Sequence, residues 1–218
     1  MFLNLRQDRY LSVPLPLMLA LAPRIHGWLT QDHPDSSVAV SQEQIDSLAE
    51  DLLTAGVLRS YQNTPRFPPT QPPTPTRDFR SLPDSSDGTD TYRNPLGVLA
   101  ALLSADYALR IIPLWRIIRA ISARTRPPQS DSQFTSPHRI SRLASCFREI
   151  RPWYPRNHLC LYDSLALTLF LLRNGANTRW VFGVREDPFA AHCWVQSGTI
   201  VVNDYLDRVR IYTPIMWI

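Results

Sequence analysis

A cysteine, a histidine and an aspartate stand in an order that acyl-transfer chemistry uses. They are Cys160 in "NHLCLYDSLALTLFLLRNG", His192 in "AAHCWVQSG" and Asp204 in "VVND". A thiolate attacks a carbonyl carbon, an imidazole moves the proton, and a carboxylate holds the ring's tautomer and steadies its charge. Taken singly, each residue has a plainer account. Free cysteine is a common small core residue, a lone strand histidine is more often satisfied in the core than catalytic, and aspartate frequents turns. The three together favour catalysis.

The elements around them must bring the side chains together. Asn157 is the expected N-cap of a strongly apolar helix that stops at Asn174–Gly175. Cys160 then falls in the first turn, where unpaired N–H groups and the positive dipole end favour a thiolate. On position alone, nucleophile and buried filler remain equal readings. Three strand-like runs follow, "TRWVFGV", "AAHCWV" and "TIVVNDY", the last after a turn at Ser197–Gly198. Alternation puts His192 and Trp194 on one face and Cys193 on the other, so His192 and Cys193 are badly placed to ligate one metal. His158 and Cys160 have a spacing unlike common zinc patterns, and no metal is expected. A hairpin across Ser197–Gly198 places Asp204, on a strand and on one face with Val202, beside His192.

The rest of the chain reads as an α+β protein in three parts. Residues 2–13 form two short strands around a polar turn at Arg6–Arg9, and a helical stretch from Pro14 to Trp28 follows. "SQEQIDSLAEDLLTAGVL" is the best-marked helix of this half. Ser41 and Gln44 form a capping box, Ile45, Leu48 and Leu52 an apolar face, and Gly56 a stop. The simplest account of residues 1–61 is a small winged-helix-like domain. Residues 62–95 carry seven prolines between Pro65 and Pro83 amid serine, threonine and aspartate, which predicts an extended, semi-rigid linker with no folded element. Residues 96–218 open with a long helical pattern broken at Pro113, whose wide apolar surface reads as core rather than as a membrane-surface helix. A shorter helix around Arg139–Ile150 carries Cys146.

Composition limits the function classes. All 23 basic residues are arginine, and the formal charge of +4 is too diffuse to point to nucleic acid. The Ser41–Leu58 helix is acidic and would repel phosphate, which counts against a winged-helix DNA binder. Three cysteines without a repeating spacing make no disulfide framework, and a reducing cytoplasm is the simplest location. The apolar run near the N-terminus resembles a secretory signal, but Asp8 and two prolines interrupt that pattern. No run reaches the roughly 18 apolar residues of a membrane span, and there is no glycine-rich phosphate loop.

"CLYDSLALTLFLLRNG", "FGVREDPFAAHCWV" and "VVND" resemble the leader peptidase of lasso peptide biosynthesis, the B protein. That resemblance covers about residues 143–206 and implies a transglutaminase-like, papain-like cysteine peptidase domain. It places the nucleophile on Cys160, the base on His192 and the orienting acid on Asp204. Cys193 and Gln196 stand where alanine and glutamate would be expected. More loosely, the first half is similar to the leader-recognition module of such pathways, which takes the leader as an added strand. On that likeness Tyr10, Leu11, Ser12 and Val13 supply the edge, and Leu48 and Leu52 part of the groove. The hairpin begins at the first methionine, which leaves no room for the module's usual first strand. The resemblance further implies a lasso precursor as substrate, an asparagine-synthetase-like cyclase as partner, and ATP for the coupled system. No motif in this chain binds a nucleotide. Two alternatives keep the same residues: a transglutaminase-type acyl transferase, which passes the thioester to an amine, and a non-catalytic carrier of the precursor.

Overall fold

In the computed structural model of this chain, apolar runs and caps mark where the elements begin and end. The structure describes residues 2–4, 9–11, 13–25, 40–55, 58, 73–81, 94–125, 135–185 and 187–218. It divides into two units, Met1–Gln71 and Pro72–Ile218.

In the first unit β1 (Phe2–Asn4) and β2 (Arg9–Leu11) pair antiparallel, with Leu3 opposite Tyr10. Helix α1 (Leu15–Leu21) continues as a 3₁₀ turn through Arg24. Helix α2 (Gln42–Thr54) starts with the full capping box: Ser41 Oγ accepts from the Gln44 N–H, and Gln44 Oε1 accepts from the Ser41 N–H. Reciprocal capping satisfies two of the orphan donors at this end. The helix ends at Thr54, with the Ala55 N–H bonded to the Asp51 carbonyl; Gly56, the expected stop, lies outside the described residues, as do residues 26–28. Leu21, Ile45 and Leu52 are buried together, with Val13, Leu48 and Leu58 packed around them. The described content of this unit is thus a hairpin and two helices.

The second unit is helices on a sheet. Helix α3 (Pro95–Ile111) is capped by Asn94 Oδ1 on the Gly97 N–H, and α4 (Leu114–Ser122) begins just after Pro113. The break falls at that proline because it lacks the N–H that would continue the ladder. Only one face of α3 enters the core, through Val98, Ala101, Leu102 and Ala105. Leu96, Leu103, Tyr107 and Ile111 are exposed, so the expected core role of this wide apolar surface holds for one face of the helix. Helix α5 (Pro137–Ile150) carries the buried Cys146, and α6 (Cys160–Arg173) is the central helix. Leu165, Ala166, Phe170 and Leu171 of α6 are fully buried, and Tyr162 donates from its hydroxyl to the Leu102 carbonyl of α3. The helix ends where expected, with Gly175 at φ +67 just beyond Asn174.

The sheet comprises β3 (Arg77–Asp78), β4 (Arg179–Arg185), β5 (Ala190–Ser197), β6 (Ile200–Val201) and β7 (Thr213–Trp217). Their order is β3-β6-β5-β4-β7, antiparallel except for the β3–β6 pair. A short helix, α7 (Leu206–Val209), lies between β6 and β7. Pairing of Arg77 with Ile200 and Asp78 with Val201 departs from the expectation that residues 62–95 are an extended, semi-rigid linker with no folded element. The Thr76 N–H bonds the Thr199 carbonyl, and a 3₁₀ turn at Phe79–Ser81 follows. Prolines 73 and 75 lack donors, yet their carbonyls still accept, so a proline-rich strip can lie at a sheet edge. No helix among the described residues is long and apolar enough to cross a membrane.

Candidate active site

Cys160 is the first residue of α6, and the loop before it is tied down by one buried arginine. Arg151 donates from Nε to Asp163 Oδ1 at 2.5 Å, and its Nη atoms reach the carbonyls of Tyr154, Arg156 and Asn157. The N-cap position is Leu159, without a side-chain cap, so Asn157 does not hold the expected role; its carbonyl is bound by Arg151 instead. The amides of the first turn thus keep no side-chain cap at the point where the thiol emerges. Such free amides favour an anion.

His192 lies on β5 opposite Gly183 of β4. Its Nε2 shares a 2.5 Å hydrogen bond with Asp204 Oδ2, and both side chains are nearly buried. The imidazole stacks near Trp194 and Tyr212, at 6.1 and 5.1 Å between ring centroids. With Nε2 engaged, Nδ1 is left for Cys160. Asp204 is in a loop, not on the expected strand, because β6 ends at Val201. The Val202 N–H bonds the Val195 carbonyl at 2.8 Å, and Asn203 Oδ1 takes the Val195 N–H at 2.7 Å in place of a backbone acceptor. The chain then turns, and the Tyr205 N–H bonds Asp204 Oδ1 at 2.7 Å.

Cys193 has more to do than pack. Alternation holds, and its side chain faces α6, with Sγ 3.2 Å from Ser164 Oγ. Ser164 Oγ accepts from Trp180 Nε1 at 2.8 Å and donates to the Cys160 carbonyl. Cys160 opens α6 where the Cys193 thiol and the His192 imidazole, from opposite faces of β5, both bond its sulfur. Hydrogen bonds from Cys193, then from His192, hold the Cys160 thiol down at about 4, although burial opposes them. Burial also pulls His192 down, but the bonds to Asp204 and Cys160 prevail and raise it to about 9. The Cys193 thiol is pushed up by its bond to Cys160 and by burial. At neutral pH the site is therefore a thiolate–imidazolium pair with a neutral thiol donor beside it.

The six residues expected to bind a leader are placed as follows. Tyr10 and Leu11 are on β2, Ser12 lies outside the described residues, and Val13 and Leu48 are half-buried. Leu52 is 3% exposed, a core residue of its unit rather than groove surface. Among the described residues no cluster of three His, Cys, Asp or Glu could hold a metal ion. Sequence reasoning missed the contacts of Cys193 and Arg151. The neighbourhood of Cys193 and His192 was visible, but the place of Cys160 relative to the sheet was not.

A thiolate at a helix start beside an imidazolium bonded to a carboxylate can form and break thioesters, and the comparisons agree with that class. Residues 99–217, more than half of the chain, match the transglutaminase-like superfamily, and this protein belongs to it. At that level it fits a cysteine peptidase or an acyl transferase. No curated protein and no solved structure matches the chain.

Proposed function

We propose that this protein is the leader peptidase of a lasso peptide pathway. The reading is supported above all by Cys160, His192 and Asp204 in hydrogen-bonding sequence, and by the local sequence around each. The Cys160 thiolate attacks the carbonyl of the leader's last residue, with the backbone N–H at Cys160 facing the developing oxyanion. His192, as imidazolium, gives its proton to the departing amine of the core peptide. A thioester and a neutral imidazole remain. Water then loses a proton to His192, its oxygen attacks the thioester, and the leader leaves as a carboxylic acid while the thiolate–imidazolium pair is restored.

The first unit acts as the winged-helix-like recognition module, taking the leader as an added strand along the edge at Tyr10–Val13, with Leu48 half-buried nearby. Leu52 supports that surface from the core. The released core peptide passes to an asparagine-synthetase-like cyclase in the cytoplasm, and the ATP requirement belongs to that partner.

The test is mass spectrometry of a full-length lasso precursor from the same gene neighbourhood, incubated with wild type, Cys160→Ala and Cys146→Ala, with and without cyclase and ATP. Wild type and Cys146→Ala release the leader, whereas Cys160→Ala loses about 10³-fold or more of the rate. A free leader acid marks hydrolysis, and a leader amide joined to an added amine marks acyl transfer. Undiminished cleavage by Cys160→Ala would sink the catalytic reading.

A further inference from the structure

We propose that Asp78 is a positioning residue for the Cys160–His192–Asp204 site, and that residues 73–81 belong to the catalytic apparatus although they precede the region matched to the superfamily. This rests on the triad reading above.

Asp78 is 5% exposed, and its carboxylate collects four donors. Three come from Arg80: its backbone N–H at 3.0 Å, Nε, and Nη2 at 2.8 Å. The fourth is the backbone N–H of Leu206, at 3.0 Å and 128 residues away in sequence. Leu206 is two residues beyond Asp204. The Tyr205 N–H points at Asp204 Oδ1 and the next amide, of Leu206, points at Asp78 Oδ2. Two consecutive amides thus bind two carboxylates, one from within the loop and one from the 73–81 strip. The Tyr205 ring is gripped as well: Phe79 lies 5.4 Å away between centroids, and the Arg80 guanidinium sits over it at 4.8 Å.

The strip is anchored at its other end by Gln196. That side chain is fully buried and donates from Nε2 to the carbonyls of Pro73, at 2.6 Å, and Gly198, at 2.8 Å. Trp194 Nε1 donates to Gln196 Oε1 and so fixes which way the amide faces. A glutamate at this place would be an acceptor facing two acceptors. Glutamine in place of the glutamate expected from the resemblance therefore suits the strip. The segment from Gly198 to Leu206 is thus held at both ends, by Gln196 Nε2 at the Gly198 carbonyl and by Asp78 at the Leu206 amide, and Gln196 ties the strip to the first of these through Pro73.

Holding that segment matters because the bond from Asp204 to His192 is directional. Arg80, with help from the two amides, keeps the Asp78 carboxyl at about 2 despite burial, so it stays an anionic acceptor at any pH where the site would work. Without Asp78, the Leu206 amide loses its acceptor and Asp204 is left with its local bonds alone. The imidazolium of His192 is then less well supported.

The experiment reads the titration of His192 in the full chain, by one-bond proton–carbon NMR of the ring Cε1. The chain has five histidines, and His192→Gln identifies the signal. In wild type the midpoint lies near the value of about 9 that its partners impose. Asp204→Asn lowers it towards the ordinary imidazole range. Asp78→Ala lowers it by on the order of one pH unit, because an ill-oriented carboxylate bonds the imidazolium less well. Asp78→Ala with Asp204→Asn titrates like Asp204→Asn alone, since the first acts through the second. An unchanged midpoint in folded Asp78→Ala, or a shift that adds fully to that of Asp204→Asn, overturns the proposal and leaves the triad reading intact. An unchanged midpoint in Asp204→Asn overturns both. Should Asp78→Ala fail to fold, Arg80→Met carries the same comparison, because its guanidinium is largely exposed and its loss empties no core. A wild-type midpoint in Arg80→Met then counts against the proposal.

Discussion

Two arginine–carboxylate pairs brace the two loops of the site, and they differ in kind. Arg151 and Asp163 hold the approach to Cys160; their side chains are 5% and 19% exposed, and they lie 12 residues apart in sequence. Arg80 and Asp78 hold the loop of Asp204; here the arginine is 57% exposed and only the aspartate is buried, at 6%. The first pair is built within the region that matches the superfamily. The second arrives from before it. On the proposed reading Cys160 is thus held by the local fold, whereas Asp204 leans on a strip that comes from elsewhere in the chain.

The comparison breaks first, if it breaks, at Arg151. Arg151→Met takes the guanidinium away from three carbonyls and from the half-buried Asp163 carboxylate, which keeps only His158, and this costs about 3 kcal/mol. In a chain of this size that lowers Tm by about 10 °C, as followed by circular dichroism. A loss no larger than that of Arg80→Met would show that exposure does not separate the two braces. The pH profile of precursor cleavage is the next test. Activity requires the thiolate, lost as pH falls through about 4, and the imidazolium, lost as pH rises through about 9, so the profile is a broad bell with limbs near those values.

Cys193→Ala sharpens the nucleophile's side. Losing a hydrogen bond to a charged sulfur moves the acid limb of Cys160 alkylation by iodoacetamide upward by about one pH unit. An unmoved limb would mean that His192 alone sets the thiolate. The smallest effect belongs to Arg80→Met, whose exposed, solvent-screened guanidinium adds little to stability. Its consequence should be seen in the His192 titration rather than in a thermal melt.

Local pattern made much of this legible. The capping box at Ser41, the break at Pro113 and the stop at Gly175 are decided by neighbours a few residues away, and each lies where the residues predict. Cys160, His192 and Asp204 could be picked out because each sits in a short informative context. What escaped is set by distance in sequence. Arg151 reaches across 12 residues to Asp163, and the N-cap position falls on Leu159 rather than on the expected Asn157. Asp204 leaves the expected strand because the Asn203 side chain takes over a ladder bond. A run rich in proline, serine and threonine gives no sign that two of its residues will pair in parallel with Ile200 and Val201.

The brevity of β3 has one more effect, on how the sheet ends. A bare β6 would offer unpaired N–H and C=O groups to any passing chain, beside the hairpin that carries His192. Arg77 and Asp78 cover that row, and the edge they create is only two residues long. It is flanked by Pro73 and Pro75 on one side and a 3₁₀ turn on the other. An incoming strand finds almost nothing to pair with there, so the strip proposed to steady Asp204 also blunts this edge of the sheet against aggregation.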